Sequence, residues 1–318
     1  MRRRVFLAST VATPAIAQTR WPERPLRLIV PFPPGGASDL LGRLMAERLS
    51  ARLGQPVVVE NRGGAGGRTA AEYVAREPGD GYTLMLGTQP THVFNRYLYS
   101  NLSYNPDRDF TALSTLAAFP YCLIVSPSLP ARNLTELVAY AKANPGKLNY
   151  GSSGIGGGTH LATTLFAQVT GTELMHVPYR GAAAAVTAVM QGEVQVMVEL
   201  VSNCLPQLQA GHVRGLAVGL PEPSPLLPGV PTFRSFGITD FDVPSWFIIV
   251  AAGRVPPAIA ERLRVACDEA VRDPSFAERL AATTAQPMPI SGQALTDFLA
   301  DQNQRWAGII RGANVRLD

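Results

Sequence analysis

Four short stretches hold the residues best suited to chemistry: 35–38, 61–69, 87–91 and 151–159. Each sets glycines beside Ser, Thr or Asn, after an apolar run and before a helical pattern. Glycine allows a tight turn and a close approach of backbone to a guest. A helix start leaves N–H groups unpaired and presents the positive end of its dipole. One such loop is common at any strand-to-helix connection. Four in one chain describe a site walled by main-chain N–H and hydroxyl donors, which suits a carboxylate held without formal counter-charge. The first is the most explicit. Leu28-Ile29-Val30 reads as a buried strand, prolines end it, Gly35 and Gly36 turn the chain, and Ser38 or Asp39 caps the next helix.

Other chemistries fail on spacing. Gly154-Ile155-Gly156 does not extend to a dinucleotide fingerprint, because the third glycine position is Thr159. Gly146-Lys147 is followed by Leu148, so it is not a P-loop. Ser152 and Ser153 lack the Gly-x-Ser-x-Gly frame of a nucleophile elbow. His92, His160, His176 and His212 form no His-x-x-x-His pair, so no metal is expected, and no cofactor motif is present. Ser152 or Ser153 with His160 is the enzymatic alternative, but no acid is placed to orient that histidine.

These loops need a scaffold, and the pattern supplies one. A helix runs from about Asp39 to Leu53, with Leu41, Met45 and Leu49 in one stripe and Gly54 as its stop. Val57–Val59, Tyr82–Leu86, Phe119–Val125, Leu148–Tyr150, His176–Tyr179, Leu216–Val218 and Val243–Val250 read as strands. Helices are expected between them, one opened by Asn133 with Glu136 three residues on. Residues 219–231 hold five prolines and read as a stiff surface loop. Alternating strand and helix means α/β domains with largely parallel sheets, and ligands then lie at the carboxyl ends of the strands.

At 318 residues the chain is long enough for two domains. With 46% hydrophobic and 16% charged residues it is a packed protein, not a disordered one. Residues 1–17 read as an export signal: Arg2-Arg3-Arg4, a short apolar run, then Ala15-Ile16-Ala17. Arg3-Arg4 also fits a twin-arginine route beside the general secretory one. Removing those three arginines lowers the net charge from +4 to +1, so nothing points to nucleic acid. Cys122, Cys204 and Cys267 sit in apolar contexts and read as buried thiols.

Several stretches match a family pattern. They are Pro31-Phe32-Pro33-Pro34-Gly35-Gly36 with Asp39, Val59-Glu60-Asn61-Arg62, Asp80-Gly81-Tyr82-Thr83-Leu84, Tyr104-Asn105-Pro106, Pro145-Gly146-Lys147-Leu148, Ser152-Ser153-Gly154, Val177-Pro178-Tyr179-Arg180-Gly181 and Ser245-Trp246-Phe247. The sequence resembles the periplasmic substrate-binding receptors of tripartite tricarboxylate transporters, the Bug family. The resemblance implies a two-lobed Venus-flytrap receptor of type II-like topology, each lobe a mainly parallel sheet flanked by helices. It also implies capture of a small organic acid without turnover, delivery to integral membrane permease subunits, a periplasmic location and a monomer. A sensor for a signalling partner is the other reading of such a fold. The lobes are expected at 24–122 plus 245–318 and at 123–244, with crossings at Phe119–Val125 and near Val243–Phe247. Carried over by resemblance, ligand contacts fall on Phe32, Gly35, Gly36, Ala37, Ser38, Thr88 and Gln89 from one lobe. Ser152, Ser153, Thr159, Tyr179 and Arg180 supply the other. Arg180 could pair a carboxylate bidentately or brace the hinge. Glu199 stands where the family usually has Asp. It could accept from a ligand donor, or be a solvated or Arg-paired acid at a strand end.

Overall fold

The computed structural model describes residues 21–242, 244–313 and 315–317. The expected export signal, residues 1–17, lies outside them, as does Val243 in the second expected crossing.

Two mixed sheets, each flanked by helices, make the molecule two-lobed. The first lobe opens with β1 (Leu26–Val30), α1 (Ala37–Leu53), β2 (Val57–Asn61), α2 (Arg68–Val74) and β3 (Thr83–Thr88). A π-helical turn at Pro90–Phe94 then runs into α3 (Asn95–Leu98). β4 (Phe110–Phe119) passes through Pro120 into β5 (Tyr121–Val125), which belongs to the second sheet. That lobe continues with α4 (Leu134–Ala143), β6 (Leu148–Ser152), α5 (Gly158–Thr170), β7 (Leu174–Pro178) and α6 (Ala182–Gln191). β8 (Val196–Leu200), α7 (Val201–Gln209) and β9 (Arg214–Val218) complete it. The chain returns as β10 (Ser245–Ala252), then α8 (Pro257–Arg272), α9 (Pro274–Ala281), the two-residue β11 (Gln286–Pro287) and α10 (Gly292–Ala313).

The strand orders are β2-β1-β3-β10-β4-β11 and β7-β6-β8-β5-β9. Four of six strands share one direction in the first sheet, and four of five in the second. β10 and β5 run against the majority, and they are the strands by which the chain changes sheet. Ser245 pairs with Phe119, so the two crossings lie side by side.

Local sequence explains most of this. β1, β3 and β10 are covered on both faces, and their runs are accordingly apolar and not alternating. α1 buries Leu41, Met45 and Leu49 and ends at Gly54, whose φ of 73° is left-handed. Asn133 caps α4 by accepting from Glu136 N–H at 2.8 Å. The expected strand Phe119–Val125 is divided at Pro120, which has no N–H for a ladder. β4 escapes the sequence reading because Thr111, Ser114 and Thr115 interrupt its apolar pattern. α10 closes over the first sheet through Trp246 Nε1, which donates to Gln302 Oε1 at 2.9 Å. All three cysteines are buried and free.

Ile29 sits fully buried at the centre of this core. Ile29→Ala is expected to cost about 2–5 kcal/mol, measured as a lower denaturant midpoint in chemical unfolding. A loss below about 0.5 kcal/mol would place Ile29 outside the packed core.

Candidate ligand-binding site

A cavity of about 130 Å³ lies between the two lobes. Its walls come from loops and strand ends of both sheets. The first lobe supplies Phe32 to Pro34 and Gly36 to Ser38 after β1, Thr88 at the end of β3, and Ser245 and Phe247 at the start of β10. The second supplies Tyr121 at the start of β5, Ser153, Gly158 and Thr159 after β6, Arg180 to Ala183 after β7, and Glu199 to Asn203 around the end of β8. Parallel strands present their carboxyl ends and the antiparallel β5 and β10 their amino ends, as an open α/β crevice requires.

The first wall is set by two side chains that do not line it. Asp39 Oδ2 accepts from Gly35 N–H at 3.1 Å and Arg43 Nε–H at 3.1 Å. Asn61, at the end of β2, donates to Asp39 Oδ1 at 3.1 Å and to the Phe32 carbonyl at 3.0 Å. Burial alone would raise the Asp39 pKa, but the bonds from Arg43, Gly35 and Asn61 hold it below the usual carboxylate range. Gly35 has φ of 92°, a conformation that favours glycine.

The second wall is tied by Thr159, whose Oγ1 accepts from Ser153 N–H at 2.9 Å and lies 2.9 Å from Ser153 Oγ. Across the cleft the lobes meet directly. Ala37 N–H, the first of α1, donates to Asn203 Oδ1 on α7 at 2.8 Å. A helix N-terminus of one lobe is thus capped by the other lobe. A Cβ on Gly66 would come within 2.8 Å of the Gly156 backbone, a second close approach between lobes.

Of the residues expected from sequence, Phe32, Gly36, Ala37, Ser38, Thr88, Ser153, Thr159, Arg180 and Glu199 line the cavity. Four do not. Gly35 forms the turn behind it. Gln89 is wholly buried, with Oε1 3.5 Å from Tyr121 Oη. Ser152 Oγ lies 2.7 Å from His176 Nε2. Tyr179 Oη donates to Glu193 Oε2 at 3.3 Å. Tyr121, Asn203, Ser245 and Phe247 also line the wall, beyond the expected ligand contacts. The motif Ser245-Trp246-Phe247 carried the signal for two of them, since period two puts both on the face opposite Trp246. No sequence signal marked Asn203.

Glu199 is the one acidic side chain on this wall. It is fully buried. Its Oε1 accepts from Leu200 N–H at 2.7 Å and from Asn203 Nδ2–H at 2.9 Å, while Oε2 has no partner among the described residues. Burial pushes its pKa up to about 7 against the lowering effect of those two bonds.

The alternative Ser–His pair does not form with His160, whose Nδ1 accepts from Gly156 N–H at 3.1 Å. His160 stacks on His176 with ring centroids 3.9 Å apart. Burial lowers their pKa values to about 3 and about 4, with His176 adding to the effect on His160. Both rings are therefore neutral at ordinary pH, and neither lines the cavity.

Known proteins share this architecture. Residues 41–315 match the family model described as the tripartite tricarboxylate transporter family receptor. Protein BugT of Bordetella pertussis is 34% identical over 315 residues, covering 98% of this chain and 96% of that one. Among solved structures, Rpa4515 of R. palustris with adipate has a TM-score of 0.87 at 36% identity, over 92% of this chain and 98% of that one. MatC (Rpa3494) from Rhodopseudomonas palustris with bound malate has a TM-score of 0.84 at 30% identity, over 91% of this chain and 100% of that one. By sequence over nearly its whole length and by fold, the chain belongs to the tripartite tricarboxylate transporter receptor family.

Proposed function

We propose that this chain is an extracytoplasmic receptor that closes on a small organic carboxylate and hands it to a tripartite tricarboxylate-type permease. The observation that carries the reading is the cavity itself. It is small, it draws wall from both lobes, and most of its polar side chains are hydroxyls: Ser38, Thr88, Tyr121, Ser153, Thr159 and Ser245. About 130 Å³ is well under the about 300–1,000 Å³ of drug-sized pockets, which favours a compact acid. Relatives solved with adipate and with malate support the same ligand class. The receptor role, with no turnover, is supported by the family.

On this reading the lobes are residues 24–120 plus 245–318 and residues 121–244, two residues from the expected boundary because β5 begins at Tyr121, hinged where β4 becomes β5 and where the chain re-enters β10. Ligand contacts to both lobes favour the closed form, a hinge closure driven by binding. Residues 1–17 would direct export by either route, and the mature receptor would act as a periplasmic monomer. No helix among the described residues is long and apolar enough to cross a membrane.

Isothermal titration against mono- and dicarboxylates, amino acids and aromatic acids tests the reading. At least one acid is expected to bind saturably and to add about 2.7 kcal/mol of stability at a hundredfold excess over Kd. Binding by none of them contradicts a receptor for small acids. The cross-lobe cap gives a second expectation. Asn203→Ala removes about 1 kcal/mol of closed-state hydrogen bonding, so affinity for that acid should fall roughly fivefold. Unchanged affinity would mean the cap does not contribute to closure.

A further inference from the structure

The state of Glu199 defines what its end of the cavity can accept. Oε1 already receives two N–H donors, from Leu200 and from Asn203. A hydrogen placed on Oε1 would face those donors, so any proton on this carboxyl belongs on Oε2. Oε2 is buried and has no partner among the described residues. The groups facing Glu199 bring no cation to it. Tyr121 and Cys122 face it from β5, and Cys204 from α7. Burial raises the Tyr121 hydroxyl, and the hydrogen bond with Cys122, then burial, raises the Cys204 thiol, so both stay neutral. Ser38 and Thr88 face the cavity from the other lobe as uncharged hydroxyls. Arg180 lines the same cavity from the exposed loop after β7. An ionised Glu199 would therefore sit in low dielectric with two N–H donors on Oε1 and none on Oε2, and would repel an anionic guest. A neutral one offers a short O–H···O⁻ bond to it.

We propose that Glu199 binds the ligand's carboxylate as the neutral acid, donating from Oε2, so that anion capture carries a proton into the closed cleft. This rests on the receptor reading above and adds its electrostatics. The proton comes from solvent, stays on Oε2 while the cleft is closed, and returns on release. No bond other than the hydrogen bond forms.

The sign follows by linkage. An anion against Oε2 raises the Glu199 pKa above its free value of about 7. Affinity is then fully present below that free value. It falls by up to about tenfold per pH unit above it, until the pKa of the bound form is reached. A Glu199 that instead accepted from a ligand ammonium or hydroxyl would give the opposite slope.

The test is titration of the mature protein with adipate and with malate from about pH 6.5 to about pH 8.5, above the ordinary pKa range of carboxyl groups. Each pH is repeated in buffers of different ionisation heat, which counts protons. Affinity for at least one of the two is expected to be roughly tenfold weaker at pH 8.5 than at pH 7, with uptake of up to one proton per acid bound near pH 8. Glu199→Gln, with circular dichroism to check folding, is expected to remove both the slope and the uptake whatever its own affinity. Wild-type binding that is flat or tightens with rising pH overturns the proposal while leaving the receptor reading intact. So does a slope that persists in Glu199→Gln. Failure of both acids to bind at any pH overturns this proposal for them, and the receptor reading falls only if the wider panel of acids fails as well.

Discussion

One hydrogen bond joins the two halves of the molecule at the place that matters: Ala37 N–H to Asn203 Oδ1. It exists only when α1 of the first lobe meets α7 of the second. Its acceptor is held in turn, because Asn203 gives its amide N–H to Glu199. A chain of three groups therefore runs from a helix dipole, through an amide, to a buried carboxyl. Each link fixes the next: Glu199 orients the amide, and the amide spends its oxygen on the helix N-terminus. The helix end that reads in sequence as an open anion seat is thus partly occupied by the protein itself. The remaining seat lies in the cavity between Ser38 and Thr88 on one side and Ser153 and Thr159 on the other.

This arrangement accounts for the weak charge of the site. The whole chain carries +4, of which the three leading arginines supply most. Its cavity has one exposed arginine and one buried acid. Selection of an anion must then come from oriented dipoles, hydroxyls and a carboxyl able to hold a proton. Asp39 and Asn61 serve the same end from behind the wall, fixing the Phe32–Asp39 turn without touching the cavity.

Much of the scaffold was legible in the sequence because it is written in short-range rules. Gly54 and the Asn133–Glu136 cap mark helix ends, and glycine loops mark strand ends. The site was legible to the level of loops but not of side chains. Thr88 and Gln89 are neighbours, as are Ser152 and Ser153, and in each pair one member faces the cavity and the other does not. Successive side chains near a strand end point to opposite sides, and sequence alone does not say which face is which. Ser152 went instead to His176, 24 residues away. Asn203 was invisible for a different reason. Its partner Ala37 is 166 residues distant and meets it only across the cleft. Local spacing holds no trace of such a contact. Tyr121 was hidden because it begins an antiparallel strand, where the carboxyl-end rule points the other way.

The central claim is that both lobes close around one acid whose carboxylate meets Glu199. A crystal structure of the mature protein with a bound carboxylate tests it most directly. The account predicts the acid enclosed between the Ser38–Thr88 wall and the Ser153–Thr159 wall, with a carboxylate oxygen about 2.5–2.7 Å from Glu199 Oε2 and the Ala37–Asn203 bond intact. An acid held by one lobe alone, or seated away from Glu199, would contradict it.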